Sequence, residues 1–309
     1  MKKFKVYCPS YWDHHRSGWN YCVSTMRDSL HRDDGVALFS NSVETGLIES
    51  SYICDEPWVG FLHLSPSCFQ SDYIQSKLNT NSCWHESLKN CFGIYVLSNS
   101  LKVAVESHLP VEVNSLFHPT EIPDIVFDWE SFDKGPRRLM FVGHWLRKPE
   151  SLDKISAKGY FKTFMGCGKS WQFSSTVDQV SHLDNDVYDR WLTQNIVFVD
   201  FHDSSANNIV VECIVRGTPI LVNRLPALEE YLGKKYPLFF RSLEEADNIL
   251  QDKGRLREAH EYLNSLDKTK FTGEGFVESI RNSSIYRKLG WNDTSSDGRF
   301  ATLMNISHL

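Results

Sequence analysis

The sequence predicts an α/β protein built from two doubly wound parallel units that face each other across a cleft. Three observations carry this prediction. Short apolar runs alternate with stretches of helical spacing along most of the chain, the signature of strands joined by helical crossovers. The alternation fades between Thr120 and Pro136, around Ile122, Pro123, Asp124, Trp129, Asp133 and Gly135, and then restarts, which marks an interdomain connection. The length, 309 residues, is enough for two units of about 150 each.

In chain order, residues 4–8 read as a short apolar strand and 9–17 as a polar, aromatic loop. Residues 18–30 have helical spacing, with Cys22, Met26 and Leu30 on one face. Strands follow over 35–39, 58–64, 93–97 and 111–117, with helices over 82–90 and 99–107. After the connection the expected elements are a buried strand over 138–142, a loop over 143–149, a helical piece over 152–155 and a strand over 160–164. A helix end over 188–193, a strand over 196–200, a helix over 208–215 and a strand over 219–222 come next. Residues 227–232 read as a helix, 236–240 as a strand-like run, 243–262 as a helix with charged faces and 276–289 as the last clear helix. Beyond Trp291 the chain is polar over 295–299, and several apolar residues follow over 300–309. The units implied are 1–133 and 134–275, followed by a closing helix and tail over 276–309.

Bulk properties exclude several classes. With 41% hydrophobic, 23% charged and 13% aromatic residues the chain is globular. The net charge of −6 argues against a broad nucleic-acid surface. The eight cysteines form no CxxC pair and are scattered, so buried thiols in a reducing compartment are expected rather than a disulfide framework. The start, Met1-Lys-Lys-Phe-Lys, runs straight into a strand and shows no signal peptide. No run approaches the roughly 18 apolar residues of a membrane span. A cytoplasmic protein with at most peripheral membrane contact is the expectation.

Parallel units bind ligands at the carboxyl ends of their strands. The loops after Cys8, Leu64, Phe117, Val142 and Asp200 are therefore where chemistry is expected. The first contains Trp12-Asp13-His14-His15-Arg16-Ser17-Gly18. Asp13 and His14 are candidate bases for a ligand hydroxyl, and Gly18 lets the next helix begin close to the strand ends; a solvated loop is the competing reading. The adjacent histidines diverge and no Cys or His cluster joins them, so no metal site is expected. His63 lies near the end of a strand and reads as a cleft contact or, nearly as readily, as a satisfied core histidine; His118 follows another strand and lines the cleft floor or shapes the hinge. In Gly143-His-Trp-Leu-Arg147-Lys148-Pro149, Gly143 permits close backbone approach. Arg147 and Lys148 either neutralise a diphosphate or form an ordinary solvated pair. The stretch Gly166-Cys-Gly-Lys-Ser170 lacks the spacing of a phosphate loop, because Thr163 stands where its first glycine belongs.

The stretch 198–223 carries most of the signal: strand, polar loop, helix, Gly turn, strand. Asp203, Ser204, Ser205, Asn207 and Asn208 offer carboxylate, hydroxyl and amide groups at a helix start, able to cap it and to meet phosphate or sugar oxygens. Glu212 lies one turn inside an apolar helix, where a carboxylate costs stability unless satisfied. Either it accepts two hydroxyls of a ribose or it pairs with Arg216 at i,i+4.

In the layout of most of the chain, and specifically over residues 138–233, these features resemble the GT-B superfamily of glycosyltransferases, especially the nucleotide-sugar-dependent family 4. There a Glu-x7-Glu motif opens a helix followed by Gly-x-Pro and a strand. Glu212 matches the second Glu, which in the family holds the donor ribose. Gly217-Thr218-Pro219 matches the turn, 223–233 the next loop and helix, Arg147 and Lys148 the diphosphate-binding basic residues, and Gly18 the glycine of the amino-terminal loop. The first Glu, a donor-sugar contact in the family, falls here at Ser204, beside Asp203. The resemblance implies two Rossmann-like domains, with the last helix crossing back to the first. It implies transfer of a sugar from a nucleoside-diphosphate sugar, GDP slightly preferred over UDP, to an oligosaccharide or glycan acceptor, without metal or other cofactor. Compact members of this kind are encoded by large viruses, acting in host-cell cytoplasm, and by bacterial surface-glycan clusters. Asp13 would be the base of an inverting course; in a retaining course the donor phosphate assists. An epimerase of the same architecture and an inactive carbohydrate-binding protein are the competing functions.

Overall fold

The computed structural model describes residues 3–6, 16–40, 43–166 and 171–289. Asp13, His14, the residues Cys167–Ser170 and those from 290 onward lie outside them.

The first unit runs β1 (Phe4–Val6), α1 (Gly18–Leu30), β2 (Val36–Phe39), a π-helical turn (Glu44–Ile48), β3 (Trp58–Phe61), α2 (Pro66–Phe69), α3 (Asp72–Thr80), α4 (Ser82–Leu88), β4 (Cys91–Val96), α5 (Asn99–Glu106) and β5 (Val113–Ser115). Its five strands are parallel, in the order β1-β2-β3-β4-β5. Side chains alternate across the sheet, as the two-residue period of a strand requires. Leu38, Val59, Phe61 and Tyr95 face one core with Cys22, Val23, Met26 and Leu30 of α1. Ala37, Trp58, Ile94 and Val96 face the other, with Leu101 and Val105 of α5. Helices α2 and α3 were not legible in the apolar pattern. They are set instead by caps, Ser65 accepting from the Cys68 amide and Ser71 from the Ile74 amide.

The connection is not featureless. Asp128 caps a short helix, α6 (Trp129–Lys134), and Phe127 and Phe132 are buried in the core of the second sheet. That unit continues with β6 (Arg138–Val142), α7 (Glu150–Lys154), β7 (Phe161–Met165), β8 (Val177–Val180), α8 (Asn185–Gln194), β9 (Ile196–Val199), α9 (Asn208–Arg216), β10 (Ile220–Asn223), α10 (Pro226–Leu232), β11 (Phe239–Phe240), α11 (Leu243–Gln251) and α12 (Lys253–Ser265). The expected single helix over 243–262 is two: Asp252 ends α11 and caps α12 by accepting from the Arg255 amide. Six parallel strands are ordered β11-β10-β9-β6-β7-β8. The chain leaves β6 in one direction and returns at β9 to build in the other. The topological switch point therefore lies between β6 and β9.

After a 3-10 turn (Thr269–Phe271), the chain forms α13 (Gly273–Asn282) and α14 (Ser284–Lys288), separated where Ser283 caps the second. Phe276, Val277, Ile280, Ile285, Tyr286 and Leu289 share one core with Phe4, Val6 and α1. Each fully buried side chain of this size is worth about 1.5–3 kcal/mol, so these residues tie the end of the chain to the first sheet. Where the chain crosses, Thr120 donates from its amide to the Phe271 carbonyl, 2.9 Å. Tyr231 donates to the Leu97 carbonyl, 2.8 Å, and accepts from the His118 amide, 3.0 Å.

Candidate functional site

The loops leaving β6 and β9 flank the switch point. The first is shaped by Gly143, at φ +78°, a left-handed conformation that suits glycine. A Cβ there would also collide with Nη1 of Arg147, which folds back over the glycine. Arg147 donates from Nη2 to Asn207 Oδ1, 2.6 Å, and its guanidinium lies 5.5 Å from the centre of the Phe201 ring. Its Nε is buried without a partner among the described residues. No carboxylate pairs with Arg147 among the described residues, and burial pulls its pKa down to about 10 against the opposing pull of Tyr188 and Glu212. A cation desolvated in this way is stabilised by an incoming anion. Lys148 is committed differently: Nζ lies 3.1 Å from Asp200 Oδ1, while Ser151 donates to the other Asp200 oxygen, 2.7 Å.

The loop after β9 departs from expectation. None of its side chains caps α9: Asn207 occupies the cap position without a cap hydrogen bond, because its Oδ1 is taken by Arg147. Asp203 turns to the first unit, where Oδ2 accepts from the Ser67 amide, 2.8 Å, and hydroxyl, 2.6 Å. Burial pushes the Asp203 pKa up, but the Ser67 hydrogen bonds outweigh it and the group stays below the ordinary carboxylate value. Ser205 shares a 2.9 Å hydrogen bond with Ser98, the cap of α5. Glu230 accepts from the Asn99 amide at the start of the same helix, 2.8 Å. Ser204 is 4% exposed and its Oγ has no partner among the described residues. Asn208 is half-buried in the first turn of α9.

Glu212 sits inside α9, a helix buried from Ile209 to Arg216 and 3% exposed at the glutamate itself. The competing reading, a pair with Arg216, does not form. Arg216 donates from Nη1 to the backbone carbonyl of Glu212, 3.1 Å, and from Nη2 to Asp189 of α8. Asp189 also accepts from Arg16 Nε, 3.1 Å, and Arg16 in turn meets Glu121. The partner of Glu212 is Tyr188, whose hydroxyl donates to Oε2, 2.5 Å. Burial raises the Glu212 pKa, partly offset by Arg216 and Tyr188. Tyr188 and Asp189 were missed by sequence reasoning. Their signal, two polar residues side by side in a helix packed on α9, exists only once the topology is known.

On the first unit, Gly18 opens α1 at φ +54°. Next to it, Trp19 packs edge-on against His63, 4.2 Å between ring centres. The His63 amide donates to the buried Glu44 carboxylate, 3.2 Å, and its Nε2 is buried without a partner among the described residues. His118 lies beneath, 3.7 Å from Cys22 Sγ and 2.7 Å from the Pro119 carbonyl. Burial, then the nearby His118, lower the His63 pKa from 6.5 to about 4. A histidine lowered in the fold takes up its proton more readily when unfolded. Its contribution to stability is present above pH 6.5 and lost as pH falls towards 4. Thermal unfolding followed from pH 7 to 4 should show His63→Gln with a shallower acid loss, the difference reaching at most ~1.4 kcal/mol per pH unit.

Among the described residues no cluster of three or more His, Cys, Asp or Glu could hold a metal ion, and no helix is long and apolar enough to cross a membrane. No protein-family model matches the chain and no curated protein matches it in sequence. Solved structures do. Anabaena HepE, in complex with UDP and glucose, aligns with a TM-score of 0.64 at 9% identity, covering 91% of this chain and 98% of that one. The fold is GT-B. Sucrose-phosphate synthase from Thermosynechococcus elongatus aligns at 0.59 and 13% identity, covering 82% and 72%. WaaG, a glycosyltransferase of lipopolysaccharide biosynthesis, aligns at 0.55 and 15% identity, covering 90% and 86%.

Proposed function

We propose that this protein is a glycosyltransferase that moves a sugar from a nucleoside-diphosphate sugar to a glycan acceptor, with the donor seated at the switch point between β6 and β9. The observation that carries the reading is the pairing, across that point, of a buried guanidinium that no carboxylate among the described residues neutralises with a buried carboxylate that, among the same residues, has an oxygen to spare. Arg147 would meet the diphosphate, with Lys148 adding a second, partly neutralised charge. Glu212 would accept ribose hydroxyls, and Asn207 holds Arg147 in place. Ser204 stands where a donor-sugar contact is expected, while Asp203 and Ser205 brace the loop against the first unit.

In the reaction the bond between the anomeric carbon and the diphosphate oxygen breaks and its electron pair leaves with the nucleoside diphosphate. The acceptor oxygen forms the new bond. Its proton goes to Asp13 or His14 in an inverting course, or to the leaving phosphate in a retaining one. Positive charge fixed where negative charge develops is the main catalytic contribution of such a site.

The solved neighbours whose ligands are known here contain UDP-glucose or UDP, which moves the preferred donor from GDP to UDP. Calorimetric titration with UDP and GDP tests this. UDP should bind the wild type in the micromolar to sub-millimolar range, and Glu212→Ala should weaken it at least tenfold. Tight GDP with weak UDP would overturn the base assignment alone. No binding of either at millimolar concentration would remove the functional reading.

A further inference from the structure

The resemblance and the geometry both leave open what holds Glu212 in a state fit to receive a ribose. The group is surrounded by the apolar side chains of α9, and a glutamate there has two ways to fail: it can take up a proton, or it can turn its carboxylate away. Tyr188 blocks both. Its hydroxyl donates to Oε2 at 2.5 Å, which favours the ionised form and fixes the plane of the group. Oε1 is left without a hydrogen-bond partner among the described residues.

The tyrosine is itself held. It is 8% exposed, on a helix that packs against α9. The next residue, Asp189, pins the two helices together through Arg216 and reaches Arg16 of the first unit. A hydroxyl anchored in this way cannot follow Glu212 if the carboxylate rotates.

We propose that Tyr188 is a positioning residue that gives this protein a preference for ribose over deoxyribose, by fixing the Glu212 carboxylate with one oxygen presented to the sugar hydroxyls. The inference rests on reading Glu212 as the ribose acceptor. Tyr188 itself touches no ligand. Its effect is confined to the hydroxyls that Glu212 reads, so nucleotides lacking those hydroxyls are indifferent to it.

The test compares UDP with its 2′-deoxy and 3′-deoxy analogues by calorimetry, in wild type, Tyr188→Phe and Glu212→Gln. Phenylalanine keeps the buried ring and removes only the hydroxyl, and a melting curve confirms that each variant is folded. The wild type should bind UDP about ten- to a hundredfold more tightly than at least one deoxy analogue, the span expected for hydrogen bonds to a charged group. Tyr188→Phe should weaken UDP about tenfold and the deoxy analogue less than threefold, collapsing the discrimination. Equal weakening of both ligands would mean a merely structural tyrosine and overturn the proposal, as would an unchanged preference in Tyr188→Phe when Glu212→Gln has lost it. A wild type that ignores the deoxy substitution, with Glu212→Gln also without effect, would overturn the ribose reading itself and the proposal with it.

Discussion

Replacing Arg147 by alanine should weaken UDP binding about a hundredfold while leaving the affinity for uridine within a factor of about three. The guanidinium is the group at the switch point with a buried nitrogen still unpartnered, and burial already pulls its pKa down to about 10. A diphosphate would satisfy that nitrogen and return a counter-charge. Charge-assisted hydrogen bonds of this kind are worth roughly 1.5–3 kcal/mol, and about 2.7 kcal/mol corresponds to the hundredfold change. Uridine carries no phosphate, so its loss should be small. The conservative Arg147→Lys keeps the charge but not the planar fork that spans the ligand and Asn207, and should lie between, near tenfold. Isothermal titration separates these cases. Equal losses for UDP and uridine would show that the substitution disturbs the loop rather than the phosphate contact.

Glu212→Gln should bind UDP poorly yet be more stable than the wild type at neutral pH. Burial raises the Glu212 pKa, with Arg216 and Tyr188 offsetting only part of the effect. A carboxyl raised in the fold binds its proton more tightly there than in the unfolded chain, so the folded state carries more protons above the unfolded value near 4.5. Stability is then full below that value and falls as pH rises through the folded pKa. Glutamine keeps the shape, cannot ionise and can still accept from Tyr188. Its advantage should be about 0.5–2 kcal/mol at pH 7, the size usual when a functional group is traded for stability, and should vanish near pH 4. Thermal melts at the two pH values measure it. A glutamine variant less stable at pH 7 would mean that Glu212 is there to hold the fold.

The sequence made the frame legible where burial follows a simple period. The helix from Gly18 and the strand over Arg138–Val142 run over the residues their spacing implied. It was silent where polar chemistry sets the structure. The α3 helix buries only Ile74 and Leu78 along nine residues, too thin a stripe to announce itself, and β8 buries only Val177 and lies at a sheet edge. The break at Asp252 was hidden because Leu250 and Leu256, on either side of it, both pack into the core.

At the site, glycine, arginine and the buried glutamate could be singled out, since each is an anomaly in its local pattern. Partners could not. Asp203 and Ser205 looked like ligand contacts because Ser67 and Ser98, which engage them, lie more than a hundred residues away. Tyr188 looked like one face of a helix end, because only the packing of α8 on α9 brings it to Glu212.

A nucleoside diphosphate is expected to bind at the switch point, between Arg147 and Glu212. A crystal structure with UDP tests it most directly. The diphosphate should lie over the Gly143–Arg147 loop within hydrogen-bond reach of the guanidinium, with at least one ribose hydroxyl on Glu212. A nucleotide ordered elsewhere on the protein, with Arg147 and Glu212 untouched, would contradict it.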